Sequence, residues 1–305
     1  MISLVVPTHN RAHTLRRVAP SYFTQDGVDE VVFVDDGGQD DTADVIARIA
    51  SMHPEVRWQL LRNEQRQGAA QARNIGVQAC RNEYVLFCDD DEYLEPGYAR
   101  ICLAKLTQYG AGAVSGRRVY MNDDETPEQA VRRFGEGLRS SAPFRRLACE
   151  YVNGARFTGD LQLPITNAVI LTRRALLIMH PFDPSYIQGN GYREESDFQM
   201  NLYVHGHDIW VTNDTHSIHL PASVVRNTGA RNSPWFRIYW QNRYTRHFFG
   251  KYYAAYARRL GLSSPRSVAL AAFFVFSLYK EFLHPTLRRL ALSLRARPPE
   301  IAAVR

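Results

Sequence analysis

At 305 residues, 45% hydrophobic and 22% charged, the chain has the balance of a folded protein with one large core, or one core plus a small appendage. Its four cysteines (Cys80, Cys88, Cys102, Cys149) make no Cys-x-x-Cys pair and stand apart from the histidines, which argues for free thiols and against a disulfide frame. The net charge of +6 conceals an asymmetry: residues 226–305 hold 15 Lys and Arg against 2 Asp and Glu, leaving −7 for residues 1–225. An acidic first part suits a site that holds a cation; a basic end suits phosphates, nucleic acid or an anionic membrane face.

In chain order, Met1–Pro7 is too short an apolar run for a secretory leader and carries no basic segment, so the expectation is a cytosolic body. Ile2–Pro7 and Glu30–Asp35 are Val- and Ile-rich runs that read as strands buried on both faces, and Arg57–Arg62, Tyr84–Asp89 and Ala113–Tyr120 read similarly. Leu15, Val18 and Tyr22 keep helical spacing, with Pro20 set to shorten or kink that helix. Further helices are predicted around Val45, Ile46 and Ile49, over Ala69–Ala79, and around Ala99, Leu103 and Leu106. Alternating strands and helices imply right-handed crossovers and a mostly parallel sheet. Residues 121–163 lose this periodicity and read as an insertion. A strand is predicted at Asn167–Leu171, and Ser196 with Gln199 has the form of a capping box that opens a helix. Residues 209–220 read as another strand, and from about 226 the chain turns aromatic, basic and helical.

Open parallel sheets bind ligands where the loops leave the carboxyl ends of their strands. Three polar clusters fall at such ends: Pro7-Thr8-His9-Asn10-Arg11, Asp35-Asp36-Gly37-Gly38 and Asp89-Asp90-Asp91-Glu92. Adjacent carboxylates at the end of a buried strand need a cation or hydrogen bonds to compensate them. Hard oxygen ligands of this kind suit Mg²⁺ or Mn²⁺; the plain alternative is a solvated acidic turn.

The segments Val5–Arg11, Val34–Thr42, Gly68–Gly76 and Leu86–Asp91, followed by a later acidic block at Gly191–Phe198, resemble the family 2 glycosyltransferases in order and spacing over about residues 1–220. The resemblance implies an α/β GT-A fold over residues 1–225, interrupted at about 121–163, with an aromatic, basic helical extension at 226–305. It implies an inverting transferase that moves a sugar from a nucleoside diphosphate donor, UDP-linked, to a saccharide or other acceptor hydroxyl, assisted by Mn²⁺ or Mg²⁺. Pro7 and Thr8, with Asn10 and Arg11 beside them, would line the nucleotide pocket. Asp35 would accept a hydrogen bond from the base, while Asp36 holds the turn. Arg73 would approach the base or the diphosphate; Asp89 would meet the ribose or the metal shell; Asp91 would hold the metal, with Asp90 between them. Glu195 takes the place of the general base, one methylene longer than the family's usual aspartate, with Glu194 and Asp197 as alternatives. His219 would complete the metal shell, with His216 as its competitor.

Bland readings stand beside these. Thr8 could cap the following helix, Arg73 could be a surface residue paired to an aspartate, and Asp40 or Asp41 reads as a helix N-cap. The run Trp235–Trp240 either stacks sugar rings or packs the extension onto the body. Residues 262–297, apolar at Val268–Tyr279 and basic around it, either lie peripherally on the cytosolic face of a membrane or pack as an ordinary helix. A nucleotidyltransferase would show a Gly-rich loop after the first strand, and Thr8–Arg11 has none; a dinucleotide dehydrogenase would show Gly-x-Gly-x-x-Gly there. A non-catalytic carbohydrate binder leaves the acidic rim without a purpose, and no nucleic-acid partner is expected.

Overall fold

β1 (Ile2–Thr8) is buried along its whole length because alternate residues serve two cores. Leu4 and Val6 enter one apolar cluster, shared with Phe33 and Leu86; Val5 enters the other, shared with Val34 and Phe87. This is the packing of a sheet covered on both faces. The computed structural model of the chain describes residues 1–134, 143–188, 191–225 and 233–283.

After β1 the elements run α1 (Ala12–Val18), α2 (Pro20–Phe23), β2 (Val28–Asp35), α3 (Thr42–Ala50), β3 (Arg57–Arg62), α4 (Ala69–Ala79), β4 (Tyr84–Phe87), β5 (Glu92–Leu94), α5 (Tyr98–Tyr109) and β6 (Ala113–Tyr120). Then come α6 (Pro127–Phe134), β7 (Phe144–Arg145), β8 (Glu150–Tyr151), β9 (Leu161–Gln162), β10 (Ile170–Arg173), α7 (Arg174–Met179), α8 (Glu194–Val204), β11 (Ile209–His219), α9 (Ala222–Val225), α10 (Pro234–Leu260) and α11 (Arg266–Leu278). The nine-stranded sheet has the order β3-β2-β1-β4-β10-β6-β11-β5, with β9 on β11. β1 to β4, β6 and β11 run one way, and β10, β5 and β9 run against them. The sheet is mostly parallel, as expected, and its order reverses at β1, between β2 and β4. That is where ligands settle in such sheets.

Proline divides the first helix as its chemistry requires: α1 ends at Val18 and Pro20 opens α2. On α4, Gly76 permits close approach to the sheet; a Cβ there would lie 2.5 Å from a Val5 methyl.

Three expectations need correction. β10 begins only at Ile170, because Asn167 folds a turn, donating to Gly116 O (2.8 Å) and accepting from Val169 N–H (3.0 Å). α8 begins at Glu194 rather than Ser196: Arg193 takes a left-handed φ of 79° and its carbonyl accepts from Asp197 N–H (2.7 Å). Gln199, assigned to a capping box, is instead buried and accepts from Thr166 N–H (2.6 Å). The 121–163 stretch, expected as an insertion, is partly helical among its described residues. It holds α6 and the β7–β8 hairpin and returns to the main sheet as β9, with residues 135–142 outside the described ones.

The C-terminal helices share a core with the sheet. Phe248, Phe249, Tyr252 and Tyr256 of α10 and Ala269 of α11 join the cluster that contains Val5 and Phe87. All four cysteines are free and buried.

Candidate active site

At the carboxyl ends of β1 and β4 lies a cleft of about 310 Å³. Pro7, Thr8 and Arg11 line it, together with Asp89, Asp90 and Asp91 and with Glu194, Glu195 and His219. Residues as far apart in the sequence as Pro7 and His219 therefore share one cavity.

The backbone explains the meeting of Asp91 and His219. β5 starts directly after the acidic run and pairs antiparallel with β11, setting His219 opposite Glu92. Leu220 N–H then donates to the Asp91 carbonyl (2.9 Å), and His219 Nε2 comes to 3.7 Å from the Asp91 carboxylate. His216 is held elsewhere, its Nδ1 2.9 Å from Glu95. Side chains three apart on a strand take opposite faces, so β11 offers the cleft His219. Asp91, Glu92 and His219 bring ligand atoms within 4.8 Å of one another. Glu92 is fully buried against the Arg118 guanidinium, whereas Asp91 and His219 line the cavity. A carboxylate and an imidazole are a donor set that suits Mn²⁺ and admits Mg²⁺ through oxygen and water.

Asp89 is clamped. Arg73 Nη2 lies 2.8 Å from one carboxylate oxygen and Arg118 Nη2 3.0 Å from the other. Burial raises its pKa, but the two guanidiniums outweigh that and hold Asp89 below the ordinary carboxylate range. Burial pushes Asp90 up to about 8, with Asp91 adding to the rise and Arg11, 3.9 Å away, opposing it.

Arg73 is not a surface residue. Only 3% of its side chain is exposed, and it joins the two acidic blocks: it pairs with Asp89 and Glu194 and lies 3.8 Å from Glu195. Burial pushes Glu194 up to about 8, since one guanidinium shared among three carboxylates cannot offset its desolvation.

The first turn of α8 sorts its acids by direction. Successive residues advance 100° around a helix, so Asp197 points almost opposite to Glu195. Asp197 is buried and accepts from Tyr186 Oη (2.7 Å), Lys251 Nζ (2.7 Å) and Tyr252 Oη (3.0 Å), away from the cavity. Glu195 keeps 35% of its side chain exposed and lines the cleft.

Two expected nucleotide contacts fall outside the lining. Asp35 accepts from Gly38 N–H (2.8 Å) and faces Arg62, and Asn10 accepts from Gln39 N–H (2.7 Å). Asp36, assigned to the turn, does accept from Asn63, Gln67 N–H and Gly68 N–H at 2.7–2.8 Å, and it also borders the cleft. Thr8 lines the cavity and does not cap α1, whose N-cap position is Arg11. Asp40 bonds the start of α3, accepting from Thr42 Oγ1 (2.6 Å).

A family model described as glycosyl transferase family 2 matches residues 3–178. The chain belongs to glycosyl transferase family 2. Among curated relatives, chondroitin synthase of Escherichia coli is 33% identical over 104 residues, 34% of this chain and 15% of that protein. The succinoglycan biosynthesis protein ExoO of Rhizobium meliloti is 32% identical over 111 residues, 36% of this chain and 31% of that one. The matched stretch thus covers less than a third of either relative. The structure of S. aureus TarS 1–349 in complex with UDP-GlcNAc matches at TM-score 0.58 and 17% identity, covering 92% of this chain and 72% of that one. The mannosyltransferase PcManGT from Pyrobaculum calidifontis, in complex with GDP-Man and Mn²⁺, matches at 0.58 and 18%, covering 96% and 79%. The fold is GT-A.

In this family 2 chain the sequence reading passed over Arg66, Arg118, Tyr186 and Lys251. Arg66 and Tyr186 border the cleft; Arg118 holds Asp89 of its lining, and Lys251 holds Asp197 on the helical turn that carries Glu195. Arg118 left a signal, since two adjacent arginines inside the strand Ala113–Tyr120 must bury at least one charge. Lys251 left none, because its partners lie 54 residues away or more.

Proposed function

We propose that this cleft transfers a sugar from a nucleoside diphosphate donor, UDP-linked, to an acceptor hydroxyl with inversion at the anomeric carbon, Glu195 acting as general base. The observation that carries the reading is that Glu195, partly exposed, shares one cavity with the Asp91–His219 pair. Its neighbours Glu194 and Asp197 are held by Arg73 and Lys251. One accessible base suits a single displacement, in which the base takes the acceptor proton as its oxygen attacks. Asp91 and His219 would hold a divalent cation, Mn²⁺ or Mg²⁺, which supplies charge neutralisation to the departing diphosphate. Arg11 and Arg66 flank the same cavity and suit its phosphates. UDP is favoured because TarS is described with UDP and UDP-GlcNAc and GalNAc-T7 with UDP and Mn²⁺.

The test separates binding from chemistry. Asp91→Ala is expected to abolish Mn²⁺-dependent thermal stabilisation by UDP. Glu195→Gln is expected to keep that stabilisation and lose about 10²- to 10⁴-fold in turnover. A product from an α-linked donor that keeps the α configuration would overturn single displacement.

We further propose peripheral contact with an anionic bilayer through the paired ends of α10 and α11. Among the described residues no helix is long and apolar enough to cross a membrane. Trp235, Tyr239, Val275 and Leu283 are each more than half exposed, and Trp235 packs on Phe282 at 5.0 Å. Tryptophan, tyrosine and basic residues are the usual occupants of a membrane interface. The basic residues 284–297 of the expected segment lie outside the described ones. Trp235→Ala with Phe282→Ala is expected to release the chain from phosphatidylglycerol vesicles; unchanged sedimentation would sink the proposal. Deleting residues 262–305 would be a poor test, since Ala269 and Phe273 are core residues.

A further inference from the structure

The family match ends at residue 178, yet the acid turn of α8 and one wall of the cleft are held from beyond it. Lys251 lies in the middle of α10. Its ammonium reaches both oxygens of Asp197 (2.7 and 2.8 Å) and Asp183 (2.9 Å). Asp197 is two residues past Glu195 in the same helical turn. Asp183 opens the loop whose Tyr186 and Ile187 border the cavity.

The neighbours make the same connection. Tyr186 Oη donates to Asp197 (2.7 Å), joining loop to turn. Tyr244 of α10 binds both backbone groups of Gln188, accepting from its N–H (2.8 Å) and donating to its carbonyl (3.0 Å). Lys251 is the one cation paired with Asp197 among the described residues, and Asp197 is 2% exposed. A carboxylate so buried needs its counter-charge, and withdrawing that charge drives the group toward solvent or toward protonation. Either response rotates the turn that aims Glu195.

We propose that Lys251 is a positioning residue for the reaction: by neutralising Asp197 and Asp183 together, α10 fixes the direction of Glu195 and the loop facing it. The aim of the base rests on the reading of Glu195 given above; the pinning of the turn does not. The C-terminal extension is then part of the site's machinery although none of its described residues lines the cavity.

The full chain tests this with Lys251→Met and Lys251→Arg. Amide hydrogen exchange over residues 194–200 is expected to quicken in Lys251→Met, while β1 to β4 stay protected and Lys251→Arg behaves as wild type. Release of nucleoside diphosphate from UDP-GlcNAc or GDP-mannose is expected to fall about 10- to 100-fold, the scale of a misplaced catalytic group. Mn²⁺-dependent stabilisation by UDP should remain, and Lys251→Arg should restore turnover. Unchanged exchange at residues 194–200 would overturn the proposal. So would loss of UDP stabilisation together with turnover, because a general loosening would then be at work. Should Lys251→Met not fold, Tyr252→Phe removes one donor to Asp197 and is expected to give the same pattern at smaller size. Glu195→Gln run beside them keeps the readings apart: full turnover there defeats the base assignment and leaves the exchange result standing.

Discussion

The two acidic turns that meet in the cleft reach the same outcome from different local structures. After β4 the chain leaves the ladder, and consecutive acids find different partners: Asp89 goes to Arg73 and Arg118, Glu92 to Arg118, and Asp91 is left facing His219. At the start of α8 the 100° advance of the helix does the sorting: Glu194 goes to Arg73, Asp197 to Lys251, and Glu195 remains toward the cavity. In each turn cations hold most of the carboxylates, and one carboxylate that faces the cavity is held less tightly. Membership of an acidic motif therefore says little about role; the cations behind the motif decide it.

Arg73 is the point at which the two turns depend on one another, so its removal should produce the largest effect on stability. Arg73→Met leaves the buried, charged Asp89 with Arg118 alone and removes the guanidinium hydrogen bond to Glu194. Breaking a buried pair in this way costs about 3–5 kcal/mol. Urea unfolding of the full chain should show that loss, with Arg73→Lys recovering only part of it because a single ammonium cannot reach three carboxylates. A loss below about 1 kcal/mol, the range of surface pairs, would mean that the turns stand independently.

How far this site could be read in advance follows the same division. β1, β3, α4 and β6 were legible nearly to the residue, because strand periodicity and small-residue patterning act within a few positions. Asp91, Glu195 and His219 were legible through the resemblance, and the structure brings them into one cavity. The start of α8 was not. The sequence offers Ser196 as a cap, but the helix is opened by Arg193, whose guanidinium is buried and donates to Ala148 O (3.0 Å) and Cys149 O. A left-handed arginine is a poor local choice, tolerated where tertiary contacts fix it. Nor could Asp197 be told from Glu195 without knowing that α10 stands behind it. β5, three residues long, gave no periodicity, yet its register sets His219 beside the acidic run that ends in Asp91 and Glu92.

A smaller perturbation sharpens the contrast by moving α4 alone. Gly76→Ala would press a methyl against Val5 and Val34, at 2.5 and 3.3 Å, and lift the helix that carries Arg73. Overpacking of this kind costs about 1–3 kcal/mol. Because Arg73 touches both turns, the variant is expected to weaken UDP stabilisation and turnover together, unlike Lys251→Met. Loss of turnover with UDP stabilisation intact would show that Arg73 acts on the α8 turn only.

The smallest effect is a pH dependence at the α10 contact. Burial raises the Asp183 pKa, but Lys251, the Ser185 backbone N–H and His247 outweigh it, and the carboxyl sits well below the ordinary range. The folded value is therefore lower than the unfolded value of about 3.9. A depressed carboxylate contributes its stability in full above the unfolded pKa and loses it as the pH falls toward the folded one. The difference in melting temperature between wild type and Asp183→Asn should accordingly be constant from about pH 5.5 to 4.5 and shrink below about pH 4. Asp183 keeps 22% of its side chain exposed, so solvent screens the pair and the difference should be a few degrees at most. A difference that stays level down to pH 3 would mean that Asp183 holds its loop by shape and neutral hydrogen bonds, leaving Asp197 as the carboxylate through which Lys251 acts.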